Sequence, residues 1–232
     1  SVSEFSDTIH DFVYTISDLS LYPISSFNSN NFCAFLTLVL KLCIFGILIY
    51  MKIVGIVGIT DWRIGDRMWV TLEEECRKAF SFDTFEVEHI WYLPWQKKKI
   101  LAFAEAILLK HDTGEDIVLL GHSFGGVIAC SIADRFTHSR VVGVVTLNAP
   151  HAVRTFYRYF GTSHEKLPMP VITFGSFFDP IVPFFLTRYP RSAHFFLYAE
   201  HFYTFVYSAY PARTVARKIK TLLHLPPTLP VS

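Results

Sequence analysis

From Met51 onward the chain repeats one pattern: a short apolar run, a turn, then a segment whose apolar residues return every three or four positions. Runs of the first kind are buried strands and segments of the second kind are amphipathic helices. Their alternation predicts an α/β fold with a mostly parallel sheet of about six strands and helices on both faces. The strands are expected at Lys52 to Ile59 (KIVGIVGI), Phe85 to Tyr92 (FEVEHIWY), Ile117 to Leu120, Val141 to Leu147 (VVGVVTL), Val171 to Phe174 (VITF) and Ala193 to Tyr198 (AHFFLY). Asp66 to Phe80 predicts a helix with Met68, Trp69, Leu72 and Cys76 on its buried side and the EEE run in water. Ile100 to His111 predicts a second helix. Pro211 can open a closing helix whose Val215, Ile219, Leu222 and Leu223 share a face.

The first fifty residues do not share this pattern. Residues 1 to 31 are rich in Ser, Asn and Phe and carry Glu4, Asp7, Asp11 and Asp18 without a Lys or Arg. Then comes CAFLTLVLKLCIFGILIY, Cys33 to Tyr50, apolar except for Lys41 and, at roughly 18 to 20 residues, long enough to cross a bilayer. Three readings of it stand. The segment is a membrane anchor, which the acids before it and Lys52 and Arg63 after it would orient with the following domain in the cytoplasm, against about 2.5 to 3.5 kcal/mol for Lys41. Otherwise it is an apolar N-terminal helix packed on the core, or part of an extension upstream of Met51 that the domain does not need. The expected organisation is therefore an extension over 1–50 carrying the apolar segment 33–50, a domain over 51–226, and a flexible tail over 227–232. The expected location is the cytoplasm, or a membrane with the domain facing the cytoplasm.

Charge and cysteines narrow the chemistry. A net charge of +1 over 232 residues supplies no broad field for phosphates, so nucleic acid is an unfitting partner. Four cysteines without a CxxC pair argue against a disulfide framework and a structural zinc site. HExxH, calcium-loop and P-loop patterns are missing, and GIVGIT after the first strand lacks the GxGxxG spacing of a dinucleotide site. No metal and no cofactor is called for.

The chemistry collects around VLLGHSFGGVIAC, Val118 to Cys130. Ser123 lies where an apolar strand must turn sharply into a helix. Gly121 and Gly125 remove side chains that would clash with a serine held in a strained turn, and the helix start favours the negative charge of acyl transfer. The stretch GHSFGG, Gly121 to Gly126, resembles the nucleophile elbow of the α/β-hydrolase superfamily, and the resemblance runs from Met51 to about Leu225. It implies that fold, and a serine followed in the chain by an acid and then a histidine. GSFFDPIVP, Gly175 to Pro183, resembles the family's acid loop and makes Asp179 the expected acid; AEHF, Ala199 to Phe202, is similar to its histidine loop and makes His201 the expected base. Acyl transfer needs this trio on its own account, because a serine hydroxyl is a poor nucleophile until an imidazole takes its proton and a carboxylate holds that imidazole. Asp179 can also serve only to cap the turn before Pro180. Asp134 is the rival acid; His194, His151 and His122 are the rival bases.

By the same resemblance the oxyanion hole takes the Phe124 N–H and one from the loop after the first strand, Ile59 first and Thr60 second. There Val57 stands where the family commonly has His before Gly. TLNAPH, Thr146 to His151, is similar to the Thr-Leu-Gly-Thr-Pro-His stretch of lipase-like members and suggests an ester. Trp62 and Phe178 are the expected walls of an apolar acyl pocket. The expected function is a serine hydrolase of carboxylic esters, lipase- or esterase-like, acting on a small acyl or lipid-like substrate, with membrane association through 33–50 if that segment is an anchor. Thioester or amide cleavage by the same trio, and a catalytically silent hydrolase fold used for binding, are the alternatives.

Overall fold

A computed structural model of the chain describes residues 51–58, 65–90, 92, 96–111, 113–135, 140–160, 162, 167–201 and 208–223. Its elements are β1 (Met51–Ile56), α1 (Gly65–Ala79), β2 (Thr84–Glu88), α2 (Lys97–His111), β3 (Asp116–His122), α3 (Phe124–Arg135), β4 (Val141–Leu147), α4 (Arg154–Phe160), β5 (Val171–Ser176), a 3-10 turn (Phe184–Leu186), β6 (Ala193–Leu197) and α5 (Ala209–Leu222). The strands form one sheet in the order β2-β1-β3-β4-β5-β6, and every neighbouring pair is parallel.

Side-chain alternation along the strands divides the interior into two cores. In β3, Ile117 and Leu119 pack with residues of α2, α3 and α4, whereas Val118 and Leu120 pack with Met68, Trp69, Leu72 and Cys76 of α1 and Ala212, Val215 and Ile219 of α5. Both faces of the sheet are therefore covered, which is why its central strands carry consecutive apolar residues, such as Ile117 to Leu120 of β3, rather than alternate ones. A fully buried Leu or Ile contributes about 1.5 to 3 kcal/mol, so these two cores outweigh any surface ion pair in holding the sheet.

The topology chooses where chemistry can occur. From β1 the chain steps outward to β2, then returns across β1 to β3 and continues to β6 in sequence order. The order reverses between β1 and β3, and connections leaving their carboxyl ends diverge to open a crevice. Gly58 follows β1 and Ser123 follows β3 at that crevice.

Several elements depart from expectation, and β1 itself ends at Ile56, short of the expected Ile59. β2 stops at Glu88 rather than Tyr92, because β1 ends at Ile56, its register partner is Glu88, and the Val57 N–H closes the ladder on the Glu88 carbonyl at 3.0 Å. β3 extends to His122, pairing with Leu147 of β4. α4 is a short helix, not expected from the sequence, that buries Tyr157 and Phe160. α5 begins at Ala209, two residues before Pro211, where the Ser208 hydroxyl accepts the Tyr210 N–H. The apolar segment 33–50, the tail 227–232, Ile59 and Trp62 lie outside the described residues. Among the described residues no helix is long and apolar enough to cross a membrane.

Candidate active site

One residue makes the whole turn from β3 into α3. Ser123 has φ +54°, a left-handed conformation that disfavours a residue with a Cβ by roughly 1 to 2 kcal/mol. It is retained because the surroundings fix it. Its N–H donates to the Leu147 carbonyl at 2.8 Å, and the Ser123 carbonyl accepts the Gly126 N–H at 3.0 Å. Packing leaves no slack nearby: a Cβ on Gly125 would fall 2.1 Å from the Ile56 carbonyl oxygen, and one on Gly121 would fall 2.4 Å from the Gly126 Cα. The glycines expected from the sequence are thus required by backbone approaching backbone.

Ser123 is half-buried at the start of α3. The first N–H groups of a helix have no intrahelical acceptor, and the helix dipole makes that end attractive to negative charge. Phe124 supplies the first of them, and its ring is anchored against Phe156 and Phe160 at centroid distances of 5.3 and 5.8 Å. The exit of β1 lies directly opposite. A Cβ on Gly58 would stand 2.8 Å from the Ser123 Cβ and 3.3 Å from its Oγ, so the main chain of this loop touches the serine.

Asp179 and His201 come together past the ends of β5 and β6. Asp179 follows β5 in a loop tied to the end of β6, where the Phe177 and Phe178 N–H groups donate to Leu197 and Ala199 at 2.9 and 3.3 Å. Its Oδ1 accepts the N–H groups of Ile181 and Val182, each at 2.8 Å, and its Oδ2 accepts Nδ1–H of His201 at 2.5 Å. Capping the turn and holding the imidazole are therefore two tasks of one carboxylate, one per oxygen. Both residues are buried. With Nδ1 committed as a donor, Nε2 is the nitrogen that can take a proton. The His201 ring sits 4.7 Å, centroid to centroid, from that of His122, the neighbour of Ser123.

Of the four rival candidates, His122 stays at the elbow beside His201 and the other three are placed elsewhere. Asp134 lies in the last turn of α3, about 16 Å along the helix from Ser123 at 1.5 Å per residue. His194 is hydrogen-bonded to the Thr173 hydroxyl at 2.7 Å; burial, and then the nearby Arg188, hold its pKa below the ordinary value. His151 bonds the Thr146 hydroxyl through Nε2 at 2.8 Å and the Tyr157 hydroxyl through Nδ1. Phe178 is 60% exposed and packs edge-on against Phe177.

The sequence reading missed Asn148. It follows β4 with φ +50°, is fully buried, accepts the Ser176 N–H on Oδ1 at 2.8 Å, and donates through Nδ2 to the His201 carbonyl at 3.0 Å. His122 reaches the same carbonyl from Nε2 at 3.0 Å. A signal was present, since the lipase-like stretch that TLNAPH resembles has glycine at the position of Asn148.

Comparison with known proteins agrees with this architecture. A family model described as a PGAP1-like alpha/beta domain matches residues 87–163, a span that holds the elbow but neither Asp179 nor His201. No curated protein matches the chain by sequence. Among solved structures, the pyrethroid hydrolase PytH is 15% identical, with 74% of this chain and 98% of that one covered at a TM-score of 0.52. Est1E from Butyrivibrio proteoclasticus is 14% identical over 76% and 90%, also at 0.52. A hyperthermophilic esterase from the archaeon Pyrobaculum calidifontis is 15% identical over 75% of each chain at 0.50. A chain that winds its strands in this order, and turns from β3 into α3 through so tight an elbow, has the fold of the α/β hydrolases.

Proposed function

We propose that the protein is a serine hydrolase of carboxylic esters with Ser123 as nucleophile, His201 as base and Asp179 as its orienting acid. The observation that carries this reading is the buried 2.5 Å bond from His201 Nδ1 to Asp179 Oδ2, with the His201 ring 4.7 Å from that of His122, whose chain neighbour Ser123 is held at positive φ on a helix start. In the first step His201 Nε2 takes the Ser123 hydroxyl proton as Oγ adds to the ester carbonyl. The Phe124 N–H and an N–H of the loop after Gly58, Ile59 by expectation, receive the oxyanion. The tetrahedral adduct collapses, His201 returns the proton to the leaving alcohol, and an acyl-enzyme remains. Water deprotonated by His201 then releases the acid. Asp179 stays ionised and stabilises the imidazolium in both steps.

An apolar acyl group is the substrate portion that suits the aromatic surroundings, with Trp62 and Phe178 as proposed contacts. The names of two similar structures, a pyrethroid hydrolase and a hyperthermophilic esterase, point in the same direction. The test is turnover of a panel of aryl esters of increasing chain length by the wild type and by Ser123→Ala. Hydrolysis by the first and a loss of about 10⁴-fold or more in the second is expected. Equal rates for the two, or a folded wild type inert to the whole panel and to matching thioesters and amides, would sink the reading and favour a binding role for the fold.

A further inference from the structure

We propose that Asn148, together with His122, is a positioning residue for His201. The proposal rests on the triad reading and extends it to a residue that touches neither substrate nor the reacting atoms.

Asn148 occupies a left-handed backbone conformation that suits glycine best, and the stretch it resembles has glycine there. Asparagine is among the side chains that tolerate this conformation. Folding alone thus gives no reason to prefer it over glycine; its side chain does. Oδ1 holds the N–H of Ser176, the last residue of β5, three positions before Asp179. Nδ2 points the other way, to the carbonyls of His201 at 3.0 Å and Glu200 at 3.4 Å. One buried amide therefore connects the end of β4, the start of the acid loop and the histidine loop. Glycine at this position could make neither side-chain link.

The His201 carbonyl has two lone pairs, and the second meets His122 Nε2–H at 3.0 Å. Since a carbonyl only accepts, His122 carries its proton on Nε2. His122 is covalently adjacent to Ser123, so this bond ties the backbone of the base to the nucleophile's own turn. The imidazole of His201 is then fixed at three points: Asp179 on the ring, and Asn148 and His122 on the main chain. A backbone free to shift by an ångström would carry Nε2 away from the Ser123 hydroxyl, which is enough to slow proton transfer substantially.

The decisive variant is Asn148→Gly, which removes both links while favouring the observed backbone angle, so that the fold is not the casualty. Expected are a fall in kcat on aryl esters of about 10- to 100-fold, KM unchanged within about twofold, and a cooperative unfolding transition kept at a modestly lower temperature, since the buried Ser176 N–H loses its acceptor. His122→Gln, which keeps a donor, should recover most of the rate that His122→Phe loses. A lowered melting temperature with unchanged kcat would overturn the proposal and leave Asn148 a structural residue only. A second measurement needs no turnover: the His201 Nδ1–H proton resonance, displaced far downfield by its short bond to Asp179, should broaden or vanish in Asn148→Gly. Its persistence unchanged would also overturn the proposal. If that resonance responds as expected while the wild type cleaves no ester, the positioning stands and the ester-hydrolase reading fails.

Discussion

Ser123 and His201, the proposed nucleophile and base, are held by opposite means. The serine is confined by packing: glycines let the β1 exit, the α3 start and the elbow approach until one added carbon would overlap backbone. The histidine is held by a hydrogen bond that its ring donates to Asp179 and by two that its carbonyl accepts from Asn148 and His122, the three partner side chains reaching across from other strand ends. Backbone packed on backbone has no graded failure, because the obstructing atoms cannot swing aside. Side-chain bonds can be removed one at a time, and each removal should lower the rate without dismantling the fold.

The sharpest way to break this contrast is Gly125→Ala. Its new Cβ would meet the Ile56 carbonyl oxygen at 2.1 Å, and overpacking against backbone is expected to cost about 3 kcal/mol. Urea unfolding should show that loss together with the loss of all activity; wild-type stability would refute the packing account. Asp179→Asn comes next. It keeps the loop but offers the imidazole the wrong partner, so kcat should fall about 10⁴-fold with a far-UV spectrum like that of the wild type. Gly58→Ala places a Cβ 2.8 Å from that of Ser123 and should slow acylation about 10²-fold through a displaced nucleophile, measured as the burst rate in stopped flow.

The smallest effect sharpens the comparison from outside the site. Glu88 accepts hydrogen bonds from Lys110 at 2.6 Å and from His111 at 2.9 Å. Burial works to raise its pKa, yet the bonds from Lys110 and His111 outweigh it and hold the carboxyl below its ordinary value. A depressed carboxylate contributes stability that is fully present above the unfolded value near 4.5 and is lost as pH falls through the lower folded value. Glu88→Gln should therefore reduce stability by about 0.5 kcal/mol at pH 7 and flatten that part of the acid limb, with kcat unchanged. A drop in kcat would show that hydrogen bonds far from His201 also carry the chemistry, against the contrast drawn above.

Much of this architecture was legible because it follows from local pattern. β4 runs over the residues expected, and Ser123, Asp179 and His201 each stand just past an apolar strand, where a loop must begin. What stayed hidden depends on partners distant in the chain. The end of β2 is set by where β1 stops, not by the alternation that continues through Tyr92. The clamp on the His201 carbonyl joins residues 53 and 79 positions apart, and no periodicity records it. His151 looked like a rival base until its bonds to Thr146 and Tyr157 placed it in the packing beneath the elbow. Glycine spacing, by contrast, is a local signal with a long-range cause, which is why Gly121 and Gly125 were the most informative residues in the chain.

The central claim is that Ser123 is a nucleophile activated by His201 and Asp179. Treating the folded protein with a fluorophosphonate and mapping the adduct by peptide mass spectrometry tests it most directly. The account predicts one stoichiometric adduct, on Ser123, absent in Ser123→Ala and formed far more slowly in His201→Ala. A folded wild type that stays unlabelled, or an adduct that persists in Ser123→Ala, would contradict it.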